Sequence, residues 1–334
     1  MHLLAERYKR LPEKRAELGG ARMDMTGEAS GLFSSASLAA SAGVGGPTIE
    51  LRKPEGQLLP LIERYYLCRW DSGTIEGVER VDVGQMRFVM KGSGQVTFPD
   101  SHVEKVKPIM VSGPGTAANA YRLEGPFHCF GVSMRAIGWK RLIGVPANKV
   151  TDHIIDGSKL FCERAGMLLD RLKELDTIDE MIAAIEPLLI DRQEEVRPVP
   201  QAHIVFARIV REWAASESPV IQTLYDSAEE QAGIGQRQVM RLCNEYFGGP
   251  PKHLERKFRA IGAAMRLYHG AALDDVLDDF YDQSHLINEI KHFTGHTPTS
   301  LRSGIDPIVA LSLDNETFHF LPEVIPETVD VGAR

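Results

Sequence analysis

The chain has 334 residues, of which 43% are hydrophobic and 25% are charged, so it is long enough for two globular domains. Its formal net charge of -8 at pH 7 excludes a polycation that coats nucleic acid without specificity, although a local basic face stays open. Apolar runs fall short of the roughly 18 residues of a membrane span, and the first residues do not read as a signal peptide, which predicts a cytoplasmic protein without membrane contact.

Residues 1–46 predict a disordered tail. A charged, helix-capable stretch gives way to glycine, serine and alanine around 30–46, and such a segment has too few large apolar residues to offset the entropy of ordering. Glu6, Glu13 and Glu17 are interspersed among its basic residues, which favours a solvated tail over contact with an anionic partner.

Residues 47–192 predict a β-rich domain with trailing helices. Between 78 and 134 apolar residues alternate with period two and turn residues recur, which is typical of an antiparallel barrel or sandwich. Helical spacing of apolar residues between 160 and 189 predicts two helices. Their leucines either cover their own barrel, the favoured interpretation, or form a dimer seam; these are Leu168, Leu172 and Leu175.

A polar segment at 193–202 with two prolines predicts a linker, and 203–304 then shows helical spacing throughout, before a tail at 305–334. A shift of 47 positions superimposes this helical region on itself, placing Val239 on Leu286, Tyr246 on Phe293, Gly248 on Gly295, Pro251 on Pro298 and Leu254 on Leu301. Two copies of one supersecondary unit are therefore predicted.

The first copy has the pattern of a helix-turn-helix, with a helix that stops at Gly233 and a second that starts near Gln236. The second helix would bury Val239, Leu242 and Tyr246. Its other face projects Arg237, Met240, Arg241 and Asn244. Because Arg pairs with guanine and Asn with adenine, such a stripe is typical of a helix that reads base edges, and a solvated helix face is the alternative.

Charge distinguishes the two copies. Between Gly235 and Arg266 seven cations stand against two acids, a basic island of +5, whereas Asp274 to Arg302 carries two cations against six acids, a net -4 with His neutral. Phosphate contact is therefore expected to be weaker in the second copy. Its candidate helix would bury Leu286, Ile290 and Phe293 and expose Gln283, Ser284, His285, Asn288 and Lys291.

Two strings in this region resemble the AraC/XylS family of transcription regulators. They are Arg237-Gln238-Val239-Met240-Arg241-Leu242 with Tyr246-Phe247-Gly248, and Phe280-Tyr281-Asp282-Gln283-Ser284-His285-Leu286 with Lys291-His292-Phe293-Thr294-Gly295-His296-Thr297-Pro298. The resemblance covers roughly residues 203–304 and implies two helix-turn-helix units, joined by a long helix, that enter successive major grooves of double-stranded DNA. The sequence departs from the family pattern at Asp279, Ile290 and Gly235, where a glycine, an aromatic residue and a serine are usual.

The resemblance implies Gln236, Arg237, Met240 and Arg241 as contacts of the first unit, and Gln283, Ser284, His285 and Asn288 as contacts of the second. The full set of predicted DNA contacts is Gln236, Arg237, Gln238, Met240, Arg241, Asn244, Lys252, Gln283, Ser284, His285, Asn288 and Lys291. More weakly, Gly113-Pro114 and the segments 125–132 and 142–147 resemble the cupin-like sensor domains of such regulators. The expected fold class is α+β multidomain: a cupin-like barrel followed by an all-α AraC-type double helix-turn-helix domain.

No catalytic residue, metal or cofactor is expected. His102 and His128 stand alone without an HxH pair, and His292 and His296 straddle a glycine at a helix end. Strand residues either face solvent, the favoured interpretation, or line a pocket for an anionic effector; these are Arg87, Arg122, His128 and Arg135. The cysteines lack metal-ligand or disulfide spacing and are predicted to be buried thiols; these are Cys68, Cys129, Cys162 and Cys243.

The leading hypothesis is a sequence-specific, DNA-binding transcription regulator under the control of a small-molecule effector at the N-terminal domain. Under this hypothesis the candidate partners are a second copy of the chain, in a homodimer, and RNA polymerase. The alternative is a small-molecule-binding or enzymatic cupin-like protein whose helical domain mediates protein contacts.

Overall fold

The computed structural model describes residues 40–41, 47–71, 73–81, 83–216, 218–303 and 305. The predicted tails at 1–46 and 305–334 lie outside the described residues, apart from a two-residue strand and Ile305. No helix among the described residues is long and apolar enough to cross a membrane.

The strands of the N-terminal region form one antiparallel sheet in the order β1-β2-β3-β8-β5-β7-β9, with β4 paired to β8 and β6 paired to β5. They are β1 (Ala40–Ser41), β2 (Thr48–Arg52), β3 (Ile62–Trp70), β4 (Thr74–Glu79), β5 (Gln85–Thr97), β6 (Val103–Lys105), β7 (Ile109–Ser112), β8 (Asn119–Met134) and β9 (Ile154–Asp156). The β-rich N-terminal domain predicted from period-two alternation is confirmed.

The two longest strands, β5 and β8, change register around Lys91. Gly92 beside it has a φ of 89°, and a Cβ there would come within 2.6 Å of the carbonyl oxygen of Pro126 on β8. Only glycine fits such a close backbone approach in this conformation. One half of β8 pairs with β4 and the other half with β3, so these long strands hold the sheet together.

The described helices are α1 (Ala136–Gly138), which continues into a wider turn over Trp139–Ile143, then α2 (Ser158–Leu172), α3 (Ile178–Glu195), α4 (Gln201–Ala214), α5 (Ile221–Ala232), α6 (Gln236–Phe247), α7 (Pro251–Tyr268), α8 (Asp274–Leu277), α9 (Gln283–Thr294) and α10 (Pro298–Ser303). Short helical turns lie at Gly56–Leu58 and Ala147–Lys149. The segment predicted as a linker, 193–202, is shorter in the structure. Helix α3 includes 193–195 and α4 includes 201–202, so only 196–200 lies outside helices.

Helices α2 and α3 cover one face of the sheet. Leu168 and Leu172 are buried in the same core as Phe88 and Phe130 of the sheet, and Leu175 packs against that core. Burial of a large apolar side chain contributes roughly 1.5–3 kcal/mol, so these leucines stabilise their own domain. They are therefore not available for a dimer seam.

The helical region has two cores that follow the 47-residue repeat. Val239, Leu242 and Tyr246 of α6 are buried in the first core, and the side chains of α9 that the sequence places inward fill the second. The leading helix of the second unit, α8, has only one turn. The predicted fold class, a β domain followed by an all-α double helix-turn-helix, is confirmed.

Candidate nucleic-acid interface

Helix α6 lies between two glycines. Gly235 precedes it in an extended conformation, and Gly248 ends it with a φ of 83°, a left-handed cap that glycine adopts without strain. The predicted residues on its outer face are exposed; these are Gln236, Arg237, Met240 and Arg241.

Two other predicted contacts on α6 are only half-exposed. The Asn244 amide donates a hydrogen bond to the carbonyl oxygen of Met240 at 2.8 Å, so its side chain lies along its own helix. Gln238 is also half-buried. Periodicity placed Asn244 on the outer face, but a short amide side chain competes for the carbonyl one turn earlier.

A chain of charges connects α6 to the β domain. Glu245 lies 2.7 Å from Lys140, in the turn after α1, and 3.8 Å from Arg241 on the exposed face of α6. Lys140 therefore holds the carboxylate that would otherwise pair most closely with Arg241. Lys252, at the start of α7, is 71% exposed and bonds Glu255 at 2.6 Å.

Helix α9 begins with a different electrostatic environment. The Asp282 carboxylate accepts a hydrogen bond from the His285 amide at 2.7 Å and caps the helix. The ring nitrogen Nδ1 of His285 accepts from the Tyr281 amide at 3.3 Å, so this half-buried ring is already engaged. The other predicted contacts of α9 are exposed; these are Gln283, Ser284, Asn288 and Lys291.

Asp282 places a negative charge where a helix N-terminus would attract a phosphate, in line with the acidic balance of the second copy. Tyr281 beside it is 93% exposed. An aromatic residue next to a polar helix start is the local signal by which the sequence marks Tyr281.

One loop of the β domain touches the C-terminal ends of both α6 and α9. In this loop, residues 113–118 and here called the brace loop, Pro114 lies 3.1 Å from the position of a Cβ on Gly248, and Ala118 lies 3.4 Å from that of Gly295. The Ala118 amide donates to the carbonyl oxygen of His292 at 2.9 Å. The loop therefore braces two glycine caps that stand 47 positions apart in the sequence.

Neighbouring segments reinforce both contacts. The Thr151 hydroxyl donates to the carbonyl oxygen of Gly248 at 3.2 Å, and the Val81 amide donates to that of Phe293 at 2.9 Å. The Asp152 carboxylate accepts a hydrogen bond from the Thr116 amide at 2.9 Å, which joins the segment that contains Thr151 to the brace loop. These bonds satisfy carbonyl groups that the end of a helix leaves without partners.

The exposed N-terminal turns of α6 and α9 lie at the ends opposite to these contacts. Each helix has 12 residues, a length of about 18 Å at 1.5 Å per residue. Both helices are thus held at the β domain by one end, and their polar faces are left accessible along the remaining turns.

The four strand residues considered for an effector pocket do not converge. Arg87 lines a small cavity, where it bonds the Tyr66 hydroxyl at 2.7 Å and also the Glu79 carboxylate. The other three make separate contacts: Arg122 with Glu76 and Glu124, His128 with Asp71, and Arg135 with the carbonyl oxygen of Ile62. The same cavity is lined by Ser112, Gly113 and Gly115, next to and within the brace loop.

The cysteines predicted to be buried thiols differ in their burial, and one histidine predicted to be isolated has close neighbours. Cys129 and Cys243 are buried, and burial raises the pKa of Cys129 to about 12, whereas Cys68 is half-buried. The side chain of Cys162 lies outside the described residues. His102 is not isolated, because the fold brings Glu104 and His153 next to it.

Residues 51–156 match a family model described as a domain of unknown function (DUF6597). Similar solved structures include ToxT from Vibrio cholerae, with 10% identity, a TM-score of 0.38, and coverage of 70% of this chain and 96% of that chain. The AraC-like transcriptional activator CuxR has 15% identity and a TM-score of 0.27, covering 70% of this chain and 91% of that chain. The family that the motifs resemble is thus among them.

A third similar structure, vicilin from Corylus avellana, covers 30% of this chain and 29% of that chain at 10% identity, with a TM-score of 0.24. No curated protein matches the sequence.

Proposed function

We propose that the chain is a sequence-specific transcription regulator that binds double-stranded DNA through α6 and α9. The observation that carries the proposal is the repetition of one arrangement. Each helix has 12 residues, ends at a left-handed glycine, fills a core with one face and exposes polar side chains on the other. A helix supported in this way suits the major groove.

Arginines on α6 are the side chains assigned to base edges, because guanidinium groups bind guanine through two hydrogen bonds. Arg237 and Arg241 are exposed, and Gln236 and Met240 flank them. On α9 we assign Gln283, Ser284 and Asn288 to base contact and Lys291 to phosphate. Half-exposed Gln238, Asn244 and His285 are assigned to supporting contacts, and Lys252 to phosphate.

The proposal is tested by selection of bound genomic fragments with the full chain, followed by fluorescence anisotropy on the selected site. The full chain is required because Val81 of the β domain packs in the core that contains α9. We expect Arg241→Ala to weaken binding by about 1–3 kcal/mol, the usual contribution of a base contact.

Arg208→Ala on α4 is the matched control. Arg208 and Arg241 each lie 3.8 Å from a glutamate one turn later in the same helix, so both variants lose one exposed charge and one helical ion pair. Equal affinities of the two variants would reject the assignment of Arg241. A full chain that enriches no DNA motif would instead favour protein contact by the helical domain.

Effector control is the second part of the proposal. The cavity that Arg87 lines shares Gly113 and Gly115 with the brace loop, so a small molecule bound there would press on the segment that contacts both helix ends. A ligand shifts this equilibrium only as far as it distinguishes two positions of the loop. Homodimerisation and contact with RNA polymerase complete the proposed set of partners.

A further inference from the structure

Three side chains from two distant segments of the β domain converge beside β6. His102 lies in the turn before this strand, Glu104 lies on it, and His153 precedes β9. One ligand atom of each lies within 4.8 Å of the others. The sheet brings together residues that stand about fifty positions apart, which explains why no local histidine motif is visible in the sequence.

The ring of His102 is oriented by a second carboxylate. Its Nδ1 is hydrogen-bonded to Asp100, and its ring stacks on Phe98 with centroids 4.6 Å apart. Because Nδ1 is held by Asp100, the other ring nitrogen, Nε2, is the one that faces Glu104 Oε1, 3.5 Å away. A carboxylate that holds the outer nitrogen of a histidine is the usual support of a metal-binding imidazole.

Glu104 is positioned by its other oxygen. Its Oε2 accepts a hydrogen bond from the Ile154 amide at 3.2 Å and lies 3.5 Å from Lys107 Nζ. Its Oε1 therefore faces both imidazoles, at 2.8 Å from His153 Nδ1. Among the described residues the buried Nε2 of His102 has no hydrogen-bond partner, and Glu104 Oε1 is the ligand atom that faces it at 3.5 Å.

We propose that His102, Glu104 and His153 bind one divalent transition-metal ion of the Zn²⁺ or Ni²⁺ class. Zn²⁺ and Ni²⁺ bind a set of two imidazoles and one carboxylate more readily than Mg²⁺ or Ca²⁺ does, because the latter two prefer oxygen ligands. Ligand atoms around tetrahedral zinc lie roughly 3.3–3.5 Å apart for bonds of about 2.0–2.1 Å, so small side-chain rotations complete the site. His153 is 58% exposed, which permits its rotation and leaves one position open to solvent.

The site is tested with the full chain, freed of metal by a chelator and titrated with Zn²⁺ by calorimetry at neutral pH. We expect one ion per chain and a higher unfolding temperature in its presence. His153→Gln is expected to lower the affinity by about 100-fold or more, since it removes one ligand. Asp100→Asn, which alters only the support of His102, is expected to lower it about 10- to 100-fold.

His128→Gln serves as the control, because His128 pairs with a single carboxylate, that of Asp71, at 3.1 Å. This variant should bind Zn²⁺ like the parent. Stoichiometry far below one, or unchanged affinity in both His153→Gln and Glu104→Gln, would overturn the proposal. Circular dichroism of each variant distinguishes loss of the metal site from loss of the fold. The Zn²⁺ titrations do not depend on whether the chain binds DNA.

Discussion

Charged side chains of the helical region differ in what they touch. Arg256 of α7 makes two hydrogen bonds to the buried Glu289 of α9, at 2.9 and 2.7 Å. Arg266 lies 3.3 Å from Asp279, the residue at which the family pattern has glycine. These two cations pair with carboxylates of the second helical unit, so part of the basic island counted along the sequence is engaged by acids of the protein itself. The exposed cations that remain for phosphate are few.

Lys252 is the cation of the basic island that we assign to phosphate, because its side chain is 71% exposed although it bonds Glu255. We expect Lys252→Ala to reduce the slope of log affinity against log salt concentration by about 1, since one phosphate contact and its released counterion are lost. The ranking of DNA sequences should not change. Anisotropy titrations at several salt concentrations measure both quantities, and an altered sequence preference would contradict the assignment of Lys252 to phosphate.

His253 of α7 is expected to make the stability of the helical region sensitive to acid. Burial, with help from the nearby Lys257 and Arg256, lowers the pKa of His253 from 6.5 to about 4. Between these values the unfolded chain binds more protons than the folded one, so stability falls as the pH drops from 6.5 towards 4. The loss is on the order of 2–3 kcal/mol.

Urea unfolding at both ends of this pH range measures the effect. His253→Gln should lessen the loss, whereas His269→Gln, at an exposed position after α7, should keep it. Equal pH dependence in the two variants would show that other groups cause the acid sensitivity.

Helices α5, α6 and α9 end where the sequence predicts, and α6 also begins there, because these signals are local; α5 begins at Ile221, earlier than its local pattern indicates. Gly233, Gly248 and Gly295 end them in left-handed conformations, and apolar spacing defines their buried faces. The brace loop was not predictable in the same way. Its contacts join residues far apart in the chain, and nothing in the local pattern around Pro114 signals a neighbour at Gly248.

Gly295 is expected to be more sensitive to substitution than Gly233. Alanine at either position costs roughly 1–2 kcal/mol for its left-handed conformation. At Gly295 the added Cβ would also come within 2.2 Å of Val78 Cγ1, whereas at Gly233 it meets nothing within 4 Å. Gly295→Ala should therefore lower the free energy of unfolding more than Gly233→Ala does.

Thermal and urea unfolding of the two variants give this comparison. Because both glycines cap a helix, their difference isolates the contact with the β domain. If the two variants lost the same free energy of unfolding, the end of α9 would be able to move away from Val78 at no cost.

A few apolar residues of the N-terminal region extend into the two cores of the helical region. Val81 is buried with Leu286 and Phe293 of the second helical unit, and Ile137 packs against the first. Sequence periodicity assigns each apolar residue to its own element and does not reveal such exchanges. Periodicity likewise does not reveal that His153 lies next to His102 and Glu104, because the pairing of distant strands brings it there.

Val81→Ala should loosen the second helical unit although the substitution lies in the β domain. Removal of buried methyl groups costs about 1–3 kcal/mol, depending on how far the site collapses. Hydrogen exchange of α9 should accelerate, while that of α5 stays as in the parent. Val103→Ala, at a position that is 51% exposed on β6, is the control. Unchanged exchange in α9 would show that this unit is stable without Val81.

If α6 and α9 bind DNA as proposed above, the short segment that contacts both helix ends would set the distance between the half-sites of an operator. An insertion or deletion between Pro114 and Ala118 would change the distance between its two contacts and so displace one helix end relative to the other, as would a change in the length of α7. Lineages that keep their operator spacing would thus conserve the length of this segment more strictly than its side chains.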